Sequence, residues 1–411
     1  MKTLTALTIF FISFNCFSQC PNSSIVLSSQ NDIDNFSTNY PNCTELNFDL
    51  TINGTDITDL SPLSNISSVN GWVFITNNSN LTSLTGLSNL TTIGGSFYLD
   101  FNATLTDISA LTGLTSIGTS FFLRRNDVIT SLTGLSNLAT IGSSFFLEDN
   151  ATLTDISALT GLTSVGTTFL LRRNNEITSL TGLSNLATIG GSFILEDNAS
   201  LTDITGLSNL ATIGSSFFLE DNATLTDISA LTGLTSIGFS FYLRRNDAIT
   251  SLTGLSNLAT IGGAFILEDN ASLTDITGLN ASVTVSSSFS IQNNSNLTNC
   301  NIDYICNGSN SNIIISNNKT GCNNIAEACS ALSIIDEEIN KVKIYPNPTN
   351  RFINLIGDNL LNVELYDLLG KKLLTTNNKK IDLSLFKTGV YILKVKSTDN
   401  RKIETYRLIK E

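Results

Sequence analysis

Two consecutive copies of the tetrad LEDN place four carboxylates, Glu196, Asp197, Glu220 and Asp221, at a separation of 24 residues. Hard oxygen ligands of this kind suit calcium if the fold gathers them. Carboxylate pairs also perform glycoside hydrolysis when they stand about 5–9 Å apart. Histidine is absent from all 411 residues, which removes the usual nucleophile–base constellations and imidazole metal ligands. Seven cysteines remain, none in a CxxC pair, which argues against a thiolate metal site.

The carboxylates are copies, and the element that carries them explains why. Asparagine recurs from Asn78, Asn102 and Asn126 to Asn318, eleven positions in unbroken steps of 24 residues. A fixed period of this length predicts a solenoid. In SFFLRRN, Phe121 and Leu123 alternate with Phe122 and Arg124, a period of two that predicts a short strand. Leu105, Ile108, Leu111, Leu114 and Ile117 then recur in strict threes, too regular for an α-helix, so the return path is expected to be tight turns or short 3₁₀ pieces. The asparagine is expected to point inward and satisfy backbone groups that no strand reaches. Its NAT and NAS copies match a glycosylation sequon that an inward side chain could not use. Gly118 and its copies are expected to hold a conformation that a Cβ would strain.

Parallel stacking sets residue i beside residue i+24. One row reads Asp100, Arg124, Glu148, Arg172, Glu196, Glu220, Arg244, Glu268; its neighbour reads Phe101, Arg125, Asp149, Arg173, Asp197, Asp221, Arg245, Asp269. Alternating sign replaces repulsion with opposite pairs and penalises a slip by one coil. Residues 200–223 break the alternation, leaving either a weak calcium site at Glu196, Asp197, Glu220 and Asp221 or a solvated repulsion from an unequal duplication. Repeated acidic pairs point to a surface rather than one cleft, so an enzyme is not expected, a carbohydrate-active one included. Beside the charges runs an outward apolar row: Tyr98, Phe122, Phe146, Leu170, Ile194, Phe218, Tyr242 and Ile266. It is expected either to be a contact surface for a protein or glycan, with Tyr98, Phe122, Phe146, Phe218 and Tyr242 as its aromatics, or to be covered by another part of the chain.

Composition divides the chain. Residues 20–330 hold 7 Lys and Arg against 25 Asp and Glu, whereas residues 331–411 hold 14 against 10. An acidic body argues against nucleic acid or anionic lipid as a partner. The opening MKTLTALTIFFISFNCFSQ reads as a signal peptide over residues 1–19, and no stretch is long and apolar enough to predict membrane insertion. Cys20, Cys43, Cys300, Cys306, Cys322 and Cys329 flank the repeat without entering it, as disulfides that staple terminal caps would. Cys20 is expected to pair with Cys43; the other four allow three pairings, and the sequence does not choose.

The coil pattern FxLxxNxxI, carried by Phe121, Leu123, Asn126 and Ile129, resembles leucine-rich repeats and more closely the receptor L-domain-like repeats of exported bacterial proteins, over about residues 45–325. From Val342 the text changes. Tyr345, Pro346, Asn347 and Pro348 form YPNP, LYDLLGKKL carries a turn at Gly370, and Gly389 and Tyr391 give GxY. This resembles the type A C-terminal sorting domain of the type IX secretion system of Bacteroidetes. The resemblance implies that the secretion machinery is a partner and that the protein is released or displayed at the outer-membrane surface. The expected fold is mainly β: a right-handed parallel β-solenoid of 24-residue leucine-rich-repeat-like coils over residues 20–330, a linker at 331–340, and a small all-β sandwich-like domain over 341–411. No cofactor beyond calcium is expected. The expected function is binding or adhesion along the sheet face, with a self-associating surface-layer component as the alternative.

Overall fold

The computed structural model describes residues 20–307, 312–330, 342–356, 360–397 and 403–411. The expected signal peptide and the linker at 331–340 lie outside the described residues. The chain forms two compact units, Met1–Leu332 and Ser333–Glu411.

From Val73 to Leu255 each coil of the first unit carries a four-residue strand such as Phe121–Arg124 and returns through a 3₁₀ segment, Thr133–Leu135 in this coil. A two-residue strand, Thr140–Ile141, then leads to the next long strand, Phe145–Glu148. The long strands form a 13-stranded parallel sheet, and the two-residue strands form a second parallel sheet of 11. Register follows the sequence period, with Phe122 beside Phe146 and Glu148 beside Arg172. The second sheet is not among the sequence expectations; its Thr-Ile and Ser-Ile pairs are too short for a period-two signal.

Phe97 and its copies to Phe289 are fully buried between the sheets. Their rings form one column with neighbouring centroids 4.7–5.5 Å apart. Burial of each such side chain contributes about 1.5–3 kcal/mol, so the column is a principal source of cohesion between coils. The asparagines from Asn78 to Asn294 are also fully buried, as expected. Asn150 Oδ1 accepts from the Asn126 backbone N–H at 3.1 Å, while its Nδ2 donates to the carbonyls of Leu123 at 3.0 Å and Glu148 at 3.2 Å. Each amide therefore satisfies backbone groups in its own coil and in the coil before.

The glycine row has a different cause from the one expected. Gly142 does not have a positive φ; a Cβ there would stand 2.1 Å from the Gly118 carbonyl oxygen. Close approach between coils requires glycine, not an unusual dihedral. The left-handed conformation falls on the residue after each four-residue strand instead: Asn77, Phe101, Arg125, Asp149 and their copies to Asn317 have φ between 51° and 59°. Here the backbone turns out of the sheet toward the buried asparagine.

Helix Gln30–Asn39 caps the first coils, with Ile33 and Phe36 buried and the Ser29 side chain accepting from the Asp32 N–H. Cys20 is bonded to Cys43 as expected. At the other end, the structure resolves the open pairing as Cys300–Cys322 and Cys306–Cys329. Tyr304, from helix Asp303–Cys306, sets its ring 4.7 Å from Phe289 and closes the phenylalanine column.

The second unit packs two antiparallel sheets. One contains Lys343–Tyr345, Phe352–Ile356 and Lys380–Asp382; the other contains Lys372–Thr376, Leu360–Tyr366, Gly389–Ser397 and Ile403–Lys410. Ile353, Leu355, Val363, Leu393 and Leu408 form their common core.

Candidate functional site: the outer face of the long sheet

The alternation within each long strand sends Phe121 and Leu123 into the core and Phe122 and Arg124 outward. The parallel register then lines copies of each outward residue into straight rows.

The apolar row is half-buried, with Leu170 its one fully buried member. Within the row the side chains shield one another. Tyr98 and Phe122 stack with centroids 4.4 Å apart, Phe122 and Phe146 at 4.8 Å, and Phe218 and Tyr242 at 4.6 Å, all within 8° of parallel. Phe74, beyond the expected row, stacks on Tyr98 at 4.8 Å, and Trp72 packs beside it at 5.8 Å, with 46 % of its surface exposed. The sequence signal for Phe74 was present, since it stands 24 residues before Tyr98 in GWVFIT. Face-to-face stacking uses up the ring faces and turns their edges to solvent. The row therefore presents an apolar ridge made largely of ring edges.

Arginines roof parts of this ridge. The Arg124 guanidinium lies 4.8 Å from the Phe122 centroid, Arg244 lies 4.7 Å from Tyr242, and Arg125 lies 4.9 Å from the exposed ring of Phe101. The same arginines build the charge ladder. Arg124 binds both oxygens of Asp100, at 3.2 and 2.6 Å, and Arg125 reaches Asp149 at 3.3 Å. Arg172 binds Glu148; Arg173 bridges Glu148 at 2.9 Å and Asp149 at 2.6 Å. Burial alone would raise the Asp149 carboxyl, but hydrogen bonds from Arg173 and Arg125 hold it below its ordinary range.

The broken rung has its own electrostatics. Glu196 stands in register with Glu220. Burial pushes the Glu220 carboxyl above its ordinary range, Glu196 and Asp221 add to the shift, and Arg244 and Arg245 oppose it. At the weak calcium candidate the carboxylates face arginines. Glu220 pairs with Arg244 at 3.7 Å and Arg245 at 3.4 Å, Asp221 with Arg245 at 2.6 Å, and Glu196 with Arg172 at 3.7 Å. Among the described residues no group of three or more acidic or cysteine side chains is placed to hold a metal ion. Arginines from the adjoining coils thus pair with three of the four carboxylates, Glu196, Glu220 and Asp221.

The sorting-motif residues serve the second unit's own fold. Asn347 donates to the Arg407 carbonyl and accepts from the Ile409 N–H, both at 2.8 Å, which ties YPNP to the last strand. Tyr345 remains half-exposed beside Pro346 and Pro348, which follow it in exposed turns. Gly370, at φ 83°, closes the turn in which the Asp367 carboxylate accepts from the N–H groups of Leu369 and Lys371. Gly389 opens the strand that carries Tyr391, whose hydroxyl donates to the Lys387 carbonyl at 2.6 Å.

Comparison with known families gives three matches. Residues 42–112 match the receptor L domain, residues 139–266 match six copies of the BspA-type leucine-rich repeat region, and residues 343–411 match the secretion system C-terminal sorting domain. No curated protein matches the chain. Among the described residues no helix is long and apolar enough to cross a membrane. The sorting domain indicates export by type IX secretion to the exterior or the cell surface. The parallel sheets and these matches together make the chain a β-solenoid of repeats, similar in part to the receptor L domain and to BspA-type leucine-rich repeats, followed by a segment that matches the secretion system C-terminal sorting domain.

Proposed function

We propose that the protein is a surface-displayed or secreted recognition module that binds a partner along the outer face of its long sheet. One observation carries this reading: a half-exposed apolar ridge, flanked by ordered charges, crosses the face where an ordinary solvated strand would be polar. Binding is favoured over catalysis because histidine is absent, the six end thiols are in disulfides, and the carboxylates repeat along a ladder instead of converging. Sugars stack their C–H faces on exposed ring faces. Here the faces are turned against each other, which favours a protein surface over a polysaccharide.

The test replaces Phe122, Phe146 and Phe218 with serine. Thermal stability should change little, because these rings lie outside the core, while retention of the labelled protein on producing cells should fall at least about tenfold. A large loss of stability would show that the ridge holds the fold together and would sink the proposal.

A further inference from the structure

The charged rows have an order that neither export nor stability requires. Numbered along the eleven-asparagine ladder, the midpoint is the coil of Asn198, which carries Glu196 and Asp197. Three coils before it stand Arg124 and Arg125, and three coils beyond it stand Glu268 and Asp269. The same inversion relates Glu148 and Asp149 to Arg244 and Arg245, and Arg172 and Arg173 to Glu220 and Asp221. Thr76 and Ser316, at the two ends of the asparagine ladder, are neutral, and Asp100 mirrors the neutral Gln292. Charge sign therefore inverts across the three coils on either side of the Asn198 coil, while Glu196 and Asp197 mirror only themselves.

Resting on the reading above that this face is a contact surface, we infer that its partner is a second copy of the same chain. The two sheets pack face to face, about a two-fold axis parallel to the strands and passing over Ile194. Such an axis keeps each row opposite the same row and reverses the order of coils. Arg124 and Arg125 then face Glu268 and Asp269 of the second copy, and all three basic rungs meet acidic ones. The ridge meets itself: Phe146 faces Tyr242, Leu170 faces Phe218, and Ile194 faces Ile194. Moving the axis by half a coil sets Arg244 and Arg245 against Arg124 and Arg125 in one direction and against Arg172 and Arg173 in the other. The acidic coil that interrupts the alternation is what selects this register. In an unbroken alternation, an axis over a coil would pair like charges throughout.

The size lies at the low end for a specific interface, about 600 Å² per partner. Ten spacings of about 4.8 Å and a four-residue strand outline a strip of roughly 48 by 13 Å, on the order of 600 Å² per partner before side-chain relief is counted. A standard stable interface buries about 800 Å² per partner.

The test uses the chain beginning at Cys20, whose native cysteines are all in disulfides. Sedimentation velocity should show a dimer that weakens at least about tenfold between 0.05 and 0.5 M NaCl. With a short bismaleimide cross-linker, Glu196→Cys should link to itself. Arg124→Cys and Glu268→Cys should each fail alone and link when mixed, which a merely sticky surface would not reproduce. A dimer in which Glu196→Cys does not link would overturn the register and the inference with it. A monomer at about 100 μM would overturn self-recognition, yet would leave the recognition reading standing if the Phe122, Phe146 and Phe218 serine variants remain stable. Collapse of those variants would remove both.

Discussion

Glu196 and Glu220 stand in register on neighbouring strands, and theirs is the rung of the charged row at which two ionisable side chains of the same sign meet. Glu220 is the more buried of the two, and its carboxyl is held above its ordinary range, chiefly by burial. A carboxyl raised in the folded state binds its proton more tightly there than in the unfolded chain. Its contribution is therefore most favourable below the ordinary pKa and is lost as pH rises through the folded one. Glu220→Gln should melt about 1 °C above the parent at pH 7, with the difference gone near pH 4; thermal melts at the two pH values decide it.

Asn150→Ala should cost about 2–4 kcal/mol. It leaves the Asn126 N–H and the Leu123 carbonyl without the partners they have at 3.1 and 3.0 Å, in a site closed to water. Urea unfolding monitored by circular dichroism measures the loss. A loss below about 1 kcal/mol would mean that water enters the ladder.

Gly142→Ala should be more damaging than Gly370→Ala, although Gly370 is the one with the left-handed backbone. The added Cβ at Gly142 meets backbone 2.1 Å away, and neither coil can yield without breaking strand pairing, whereas nothing lies within 4 Å at Gly370. Expected losses are about 3 kcal/mol for the first and about 1 kcal/mol for the second, read from urea midpoints.

Removing Cys306–Cys329 by a double serine substitution should loosen one end only. Hydrogen exchange should quicken in Ile313–Ser316 and Phe289–Gln292 and stay unchanged in Ile25–Leu27, since each coil touches only its neighbours. Uniform quickening along the sheet would contradict nearest-neighbour stability.

The contacts between residue i and residue i+24 were legible because the period itself encodes them. Arg124 against Asp100, Asn150 against Asn126 and the sorting motif could all be read before any coordinates. What escaped was decided by backbone geometry that side-chain type does not report. Phe101, Arg125, Arg173 and Arg245 sit at positive φ although their types do not favour it, whereas the other left-handed residues after the four-residue strands are Asn or Asp, which do. At the arginines the ladder's need for charge overrides that preference. Row exposure was likewise hidden, because half-burial of Phe122 and Phe146 arises from each ring covering the next. The C-terminal disulfide pairing escaped for a simpler reason: four equivalent thiols carry no pairing information, and their partners are set by how helices Asp303–Cys306 and Ile325–Ser330 meet the last coil.

The asparagine ladder runs in one direction. The Gly54 N–H donates into Asn78, each amide receives from the coil before it, and at the far end Asn318 donates to the Cys322 carbonyl at 3.0 Å, a group anchored by the Cys300–Cys322 bond. It behaves as a short polymer with an initiator, identical monomers and a terminator. Inserting or deleting one 24-residue unit would leave both ends chemically unchanged, so the molecule's reach is a quantity that recombination can retune in steps of about 5 Å without inventing a new joint.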